Sequence, residues 1–166
     1  MKCSSCSTTI RKQSPRIGSS ECLSIFEKPH VGVVDAKLLY ANEKTQHIGV
    51  VHNGGKPDHV RRWYPRDEAG YFFSTCGVRN YMGVTGACMM TPTRLYESVG
   101  GYSDELAINY NDVDYCMKVR ALGLYILYAP RAELFHFESQ SRRVPRVVDE
   151  TNIYQKNWAC DTVSDL

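Results

Sequence analysis

The chain has no apolar run long enough to cross a bilayer as a helix, and its first residues lack the hydrophobic centre of a secretory leader. A cytoplasmic location is expected on that ground, with the membrane surface as the alternative. Net charge is equally scarce: 20 basic against 18 acidic residues leave +2, too little to draw the chain to nucleic acid. No internal repeat is present. The 7 cysteines are odd in number and lack framework spacing, which argues against a disulfide scaffold. Cys3-Ser-Ser-Cys6 has no second pair to close a zinc site. Cys22, Cys88, Cys116 and Cys160 sit among apolar residues and read as reduced core thiols.

What is present fits an ordinary globular domain. At 166 residues, 43% hydrophobic and 23% charged, the chain can bury a core of its own. Lys2, Arg11, Lys12 and Arg16 make the first residues basic, with no acid among residues 1–20. Residues 1–18 are expected to be a disordered basic tail, and 19–166 a single domain.

Element signals follow in order. A short helix is expected from Ser19, stopped by Pro29. Val31–Asp35, Lys37–Tyr40 and His47–Val51 read as strands, and Asn53-Gly54-Gly55-Lys56-Pro57 as a break. His59–Asn80 is a long aromatic and polar stretch of the kind that is seldom idle. Tyr81–Met90 reads as a strand and Pro92–Val99 as a helix. Asn111 is a good N-cap for a helix over Asp112–Leu122, ended by Gly123. Two further strands, Leu124–Ala129 and Ala132–Phe137, and a helix over Val147–Trp158 complete the pattern. Strands alternating with helices give an α/β fold with a mixed sheet.

The chemistry concentrates at Asn111-Asp112-Val113-Asp114 and at His136 with Ser139, Ser141, Arg142 and Arg143. Asp112 in the first turn of a helix is held ionised by the macrodipole and can accept a proton from a hydroxyl. Asp114 lies about 200° further round the helix and so faces elsewhere, to cap backbone donors or pair with a cation. Both acids serve equally well as plain complements to the dipole. An imidazole at a strand end suits Mn²⁺, and guanidinium forks suit phosphate oxygens. A histidine in that position also serves simply as a satisfied structural residue.

Four ordered blocks are more specific: Val84-Thr85-Gly86-Ala87-Cys88-Met89-Met90, Leu95 to Glu105, Asn111 to Cys116, and Ala132 to Ser139. Together with Val31 to Tyr40 and His47 to Val51, they resemble the family 2 glycosyltransferases over about residues 21–160. The resemblance implies a partial GT-A fold with a mixed sheet flanked by helices. It implies inverting, metal-dependent transfer of a sugar from a nucleotide-diphosphate sugar to a glycan or lipid-linked acceptor, with Mn²⁺ or Mg²⁺ as cofactor. Asp112 falls on the family's base. His136 falls on a position that joins the metal or diphosphate, and Arg142 on one that touches the diphosphate. Gly86, Ala87, Asp104, Glu105 and Asn111 fall on the acceptor side.

The family's nucleotide-binding half, ending in an Asp-x-Asp motif, has no counterpart in residues 1–20. The donor site is therefore expected to lie outside this chain. Half a sheet is expected to expose an apolar strand edge, covered by a second copy or a complementing chain. The alternative function is an inactive remnant that binds a glycan or a partner, with Trp63, Tyr64 and Tyr71 as stacking surfaces.

Overall fold

The computed structural model describes residues 10–11, 15–137 and 150–158. A two-residue strand β1 (Ile10–Arg11) precedes helix α1 (Pro15–Phe26). The helix thus starts inside the segment expected to be a tail, because proline at a first helical position lacks only an amide that needs no partner there. Strand β2 (Val31–Leu39) merges the two strands read around Ala36. It alternates faces: Val34, Ala36 and Leu38 pack with Cys22 and Ile25 of α1, while Val33 packs on the opposite side.

Strand β3 (Thr45–His47) returns antiparallel to β2. The expected strand 47–51 divides here, because Val50 belongs to a separate hairpin of β4 (Val50–Asn53) and β5 (Lys56–His59). Gly54 and Gly55 turn that hairpin with φ of 58° and 76°, a conformation open to glycine at little cost. The expected break is thus a tight turn.

Strand β6 (Arg79–Asn80) is followed by an extended segment, a 3-10 turn over Gly86–Cys88 and the short strand β7 (Met89–Met90). Tyr81–Met90 is therefore not one strand. Helix α2 (Thr93–Ser98) leads to a 3-10 turn at Asp104–Leu106 and then to helix α3 (Asn111–Ala121). Tyr110, with φ of 61°, occupies the N-cap expected for Asn111, and its carbonyl accepts the Asp114 amide at 2.7 Å.

Strand β8 (Tyr125–His136) joins the last two expected strands, with its register against β2 shifting where Pro130 falls. The chain's described part closes with α4 (Glu150–Asn157). The centre of the molecule is the parallel pair β2–β8 in a mixed α/β sheet, with α1 against one face and α3 against the other. Tyr115, Cys116 and Val119 of α3 pack on Val33 and Ile126. A third cluster joins Val113 and Met117 to Val50, Leu106 and Tyr154, so α4 grips the start of α3 and the β4–β5 hairpin together.

Both long strands have neighbours on each side: β3 and β7 flank β2, and β6 and β1 flank β8. The described residues thus cover the central pair with strands of two or three residues, which offer little backbone to an incoming strand. The long exposed apolar edge expected from the sequence is not found among them. Among the described residues no helix is long and apolar enough to cross a membrane. Cys22 and Cys116 are buried free thiols, Cys88 is half-buried and Cys76 exposed, while Cys160 lies outside the described residues.

Candidate functional site

Asp112 is the second residue of α3, and its carboxylate is bonded on both oxygens. Oδ1 accepts the Val113 amide at 2.9 Å, a donor the helix start would otherwise leave unpaired. Oδ2 accepts the Gly86 amide at 2.7 Å. Gly86 opens the 3-10 turn for this purpose, since a Cβ there would lie 3.2 Å from Tyr102 Oη and 3.4 Å from Asp112 Cβ. Asn111 Oδ1 accepts the Asp112 amide at 2.8 Å, so the two residues are locked to one local geometry.

Of the other acceptor-side positions, Ala87 packs against the apolar layer under α1, away from its neighbour Gly86. Asp104 and Glu105 are exposed on their turn, which buried Leu106 anchors. Asp114 points away from Asp112. It pairs with Lys118 at 2.9 Å and accepts the Trp158 indole N–H at 2.9 Å, as a cation partner at that helical angle requires.

His136 ends β8, with Nδ1 2.8 Å from Gln46 Oε1, and its carbonyl accepts from Gln46 Nε2 at 3.3 Å. Held that way, the ring presents Nε2 as the unprotonated nitrogen, which is how a metal-binding imidazole is normally oriented. It supplies one such group only. Among the described residues no three His, Cys, Asp or Glu side chains converge to hold a metal ion. These residues alone do not make a metal site. Arg142, Ser139 and Ser141 lie outside the described residues.

A cluster that the sequence reading passed over adjoins Asp112. Asp35, fully buried on β2, accepts the Ala36 amide at 2.8 Å through Oδ1 and sets Oδ2 2.9 Å from His47 Nε2. His47, also fully buried, sits 2.7 Å through Nδ1 from His59 Nδ1 on β5. The Thr85 amide donates to His47 Nε2 at 3.3 Å. The available signals were an acid inside the apolar run Val31 to Leu39 and a Gln-His pair ahead of Ile48-Gly49-Val50-Val51. Neither signal names a partner.

Burial sets the protonation of this cluster. It pushes the Asp35 carboxyl well above the usual carboxylate range. It pulls His47 down to about 3 and, with His47 and Arg62 nearby, His59 down to about 4. Asp112 opposes the fall at both histidines and His136 adds to it at His47, so one electrostatic site includes all five groups.

The sign of the pH effect follows. Below about 6.5 the unfolded chain protonates two histidines that the fold keeps neutral, which favours unfolding. Asp35, raised in the fold, contributes stability at low pH that is lost as pH rises. With two protons refused against one accepted, these groups should cost a net ~1.4 kcal/mol per pH unit as pH falls from 6 to 4.5. Urea unfolding across that range should show His59→Asn removing most of this slope. An unchanged slope would mean that His59 titrates normally.

No family model matches the chain. Over 125 residues, 74% of the chain, it is 42% identical to the uncharacterized protein y4gI of Sinorhizobium fredii (strain NBRC 101917 / NGR234). Over 129 residues, 76% of the chain, it is 32% identical to the O-antigen biosynthesis protein RfbC of Myxococcus xanthus. The chain spans 14% of the first protein and 10% of the second.

Proposed function

We propose that this chain is the acceptor-side part of a glycosyltransferase family 2-like enzyme with a GT-A fold, and that Asp112 is its general base. A role in sugar or polysaccharide synthesis is supported by the similarity to a segment of an O-antigen biosynthesis protein. The observation that carries the finer reading is the Asp112 carboxylate, oriented by the Gly86 amide and the start of α3. It is only half-buried, so it can meet an acceptor hydroxyl.

The chemistry then balances simply. The acceptor oxygen attacks the anomeric carbon as its proton passes to Asp112. The bond from that carbon to the diphosphate breaks with inversion, and the nucleotide diphosphate leaves with the electron pair. A divalent cation, when bound, would neutralise the leaving diphosphate; His136 offers one nitrogen to it, and Arg142 a guanidinium to the phosphates. Asn111 and Gly86 hold the base, and Asp104 and Glu105 border the acceptor.

The reading places the nucleotide-binding elements in a separate segment. Titration with Mn²⁺ and UDP, and with other nucleotide diphosphates, tests it. The expected result is no binding by this chain alone, and turnover once an upstream nucleotide-binding segment is supplied. Tight metal-dependent binding of a nucleotide diphosphate by the isolated chain would overturn it. In the completed enzyme His136→Ala should weaken metal dependence, and unchanged dependence would return His136 to a structural role.

A second reading, a glycan- or partner-binding module without catalysis, has one observation in its favour. Trp63 stacks on Tyr40 at 4.0 Å and is itself half exposed, as a sugar platform would be. Glycan binding that persists in Asp112→Asn, with no turnover in any completed form, would favour this second reading.

A further inference from the structure

We propose that Asp35, His47 and His59 form a chain of close polar contacts that positions the Asp112 carboxylate through the Thr85–Gly86 backbone, with His47 as its central positioning residue. The inference rests on Asp112 being the base and extends that site inward by three residues.

The connection is continuous in space and drawn from five elements. Asp35 comes from β2, His47 from β3 and His59 from β5; Thr85 and Gly86 come from the segment before β7, and Asp112 from α3. The steps are 2.7 Å between the two imidazoles and 2.9 Å from His47 to Asp35. From His47 Nε2 to the Thr85 amide is 3.3 Å, and the next amide along, Gly86, reaches Asp112 at 2.7 Å. The Thr85 and Gly86 amides thus point to opposite anchors, one to His47 and one to the base. Moving the first turns the peptide that carries the second.

The proton order is consistent throughout. The Thr85 N–H points at His47 Nε2, so that nitrogen is an acceptor and Nδ1 carries the proton, donated to His59 Nδ1. Asp35 Oδ2 receives no aligned hydrogen bond although it lies 2.9 Å from His47 Nε2. Burial favours the neutral Asp35 carboxyl, which leaves the single Nε2 lone pair to the Thr85 amide. The chain carries no net charge, which suits a site where His47 and Asp35 are fully buried.

Packing alone gives no reason for this composition. Met89, which faces Asp35 across the ladder, and Val33, two residues before it on β2, belong to a closely packed apolar cluster that an apolar residue in place of Asp35 would extend. Two buried polar groups and a half-buried third in line, ending one peptide from the base, are explained by what they orient.

The test uses amide hydrogen exchange by NMR on the full chain, with the Gly86 amide as reporter and the Val33 amide as reference for global opening. His47→Phe keeps the ring and removes both nitrogens. It should speed Gly86 exchange at least about tenfold beyond any change at Val33, the loss expected for a hydrogen bond to a charged acceptor. His47→Gln, which retains an acceptor toward Thr85, should recover most of the protection. If His47→Phe does not fold, His59→Asn removes the outer end alone and should move Gly86 in the same direction by less. Gly86 protection that follows Val33 in every variant, or that is lost equally in Gln and Phe, overturns the proposal. A separate measurement keeps the base assignment distinct: full turnover of Asp112→Asn removes the base but leaves the Gly86 result as it stands.

Discussion

Asp112→Asn in the completed enzyme should lower sugar transfer about a thousandfold, within the range a positioned general base contributes, while leaving donor affinity unchanged. The asparagine oxygen can still accept the Gly86 amide that Asp112 Oδ2 takes at 2.7 Å, so the start of α3 should keep its shape. What disappears is the negative charge and with it the capacity to hold the hydroxyl proton. The loss should therefore fall on kcat, because the carboxylate matters as the proton moves and little when the nucleotide binds. A rise in donor KM of similar size would point instead to a disturbed site. Activity equal to the unmodified enzyme would remove Asp112 from the mechanism. The companion change Gly86→Ala should lower transfer too, since its Cβ would press on Tyr102 Oη at 3.2 Å and on Asp112 Cβ at 3.4 Å.

The largest stability effect is expected at Glu150. This carboxylate, buried at the first turn of α4, accepts the Ile108 amide at 3.0 Å and also the Asn109 amide. It thereby ties down the segment that runs into Tyr110, whose left-handed backbone starts α3. Glu150→Ala orphans two partly buried amides, each worth about 1–3 kcal/mol, for an expected loss of about 3 kcal/mol. For a chain of this size that is a fall in Tm of about 10 °C. Glu150→Gln keeps one acceptor and should cost about half as much. The α4 anchor is shared, since Tyr154 Oη lies 2.9 Å from His52 Nε2 on β4, so the alanine variant should also loosen the β4–β5 hairpin. A Tm within 1–2 °C of the parent would show that the 104–110 segment needs no such tether.

The main elements of the fold were legible because their signals are local. The apolar run of β2, the Gly123 stop after α3 and the run from Leu124 onward each carry their own hydrophobic pattern or turn residue. The misplacements share a cause. Tyr81–Met90 has strand-like residues, but tertiary demands at Gly83 and Gly86 bend it, one bridging Val50 and the other serving Asp112. His47 looked like a strand residue beside apolar neighbours, and it is one. Its role depends on Asp35 and His59, which reach it only through sheet pairing and the β4–β5 hairpin, and residue spacing does not encode that meeting. That Asp112 would sit in the first turn of a helix was readable in the sequence. That its second oxygen belongs to Gly86 was not.

The parallel pairing of β2 with β8 also sets the order in which this chain can assemble. Val31 is in register with Tyr125, and Leu39 with Phe135, so the central ladder joins segments separated by most of the domain. The β4–β5 hairpin is local and can form early, but the layers under α1 and α3 both draw on β8 and must wait for it. Closing so long a loop before any ladder bond is gained is an entropic barrier, and parallel pairs are intrinsically slow to form. Folding should thus be limited by the late pairing of β8 with β2, which completes the layers on both faces of the sheet.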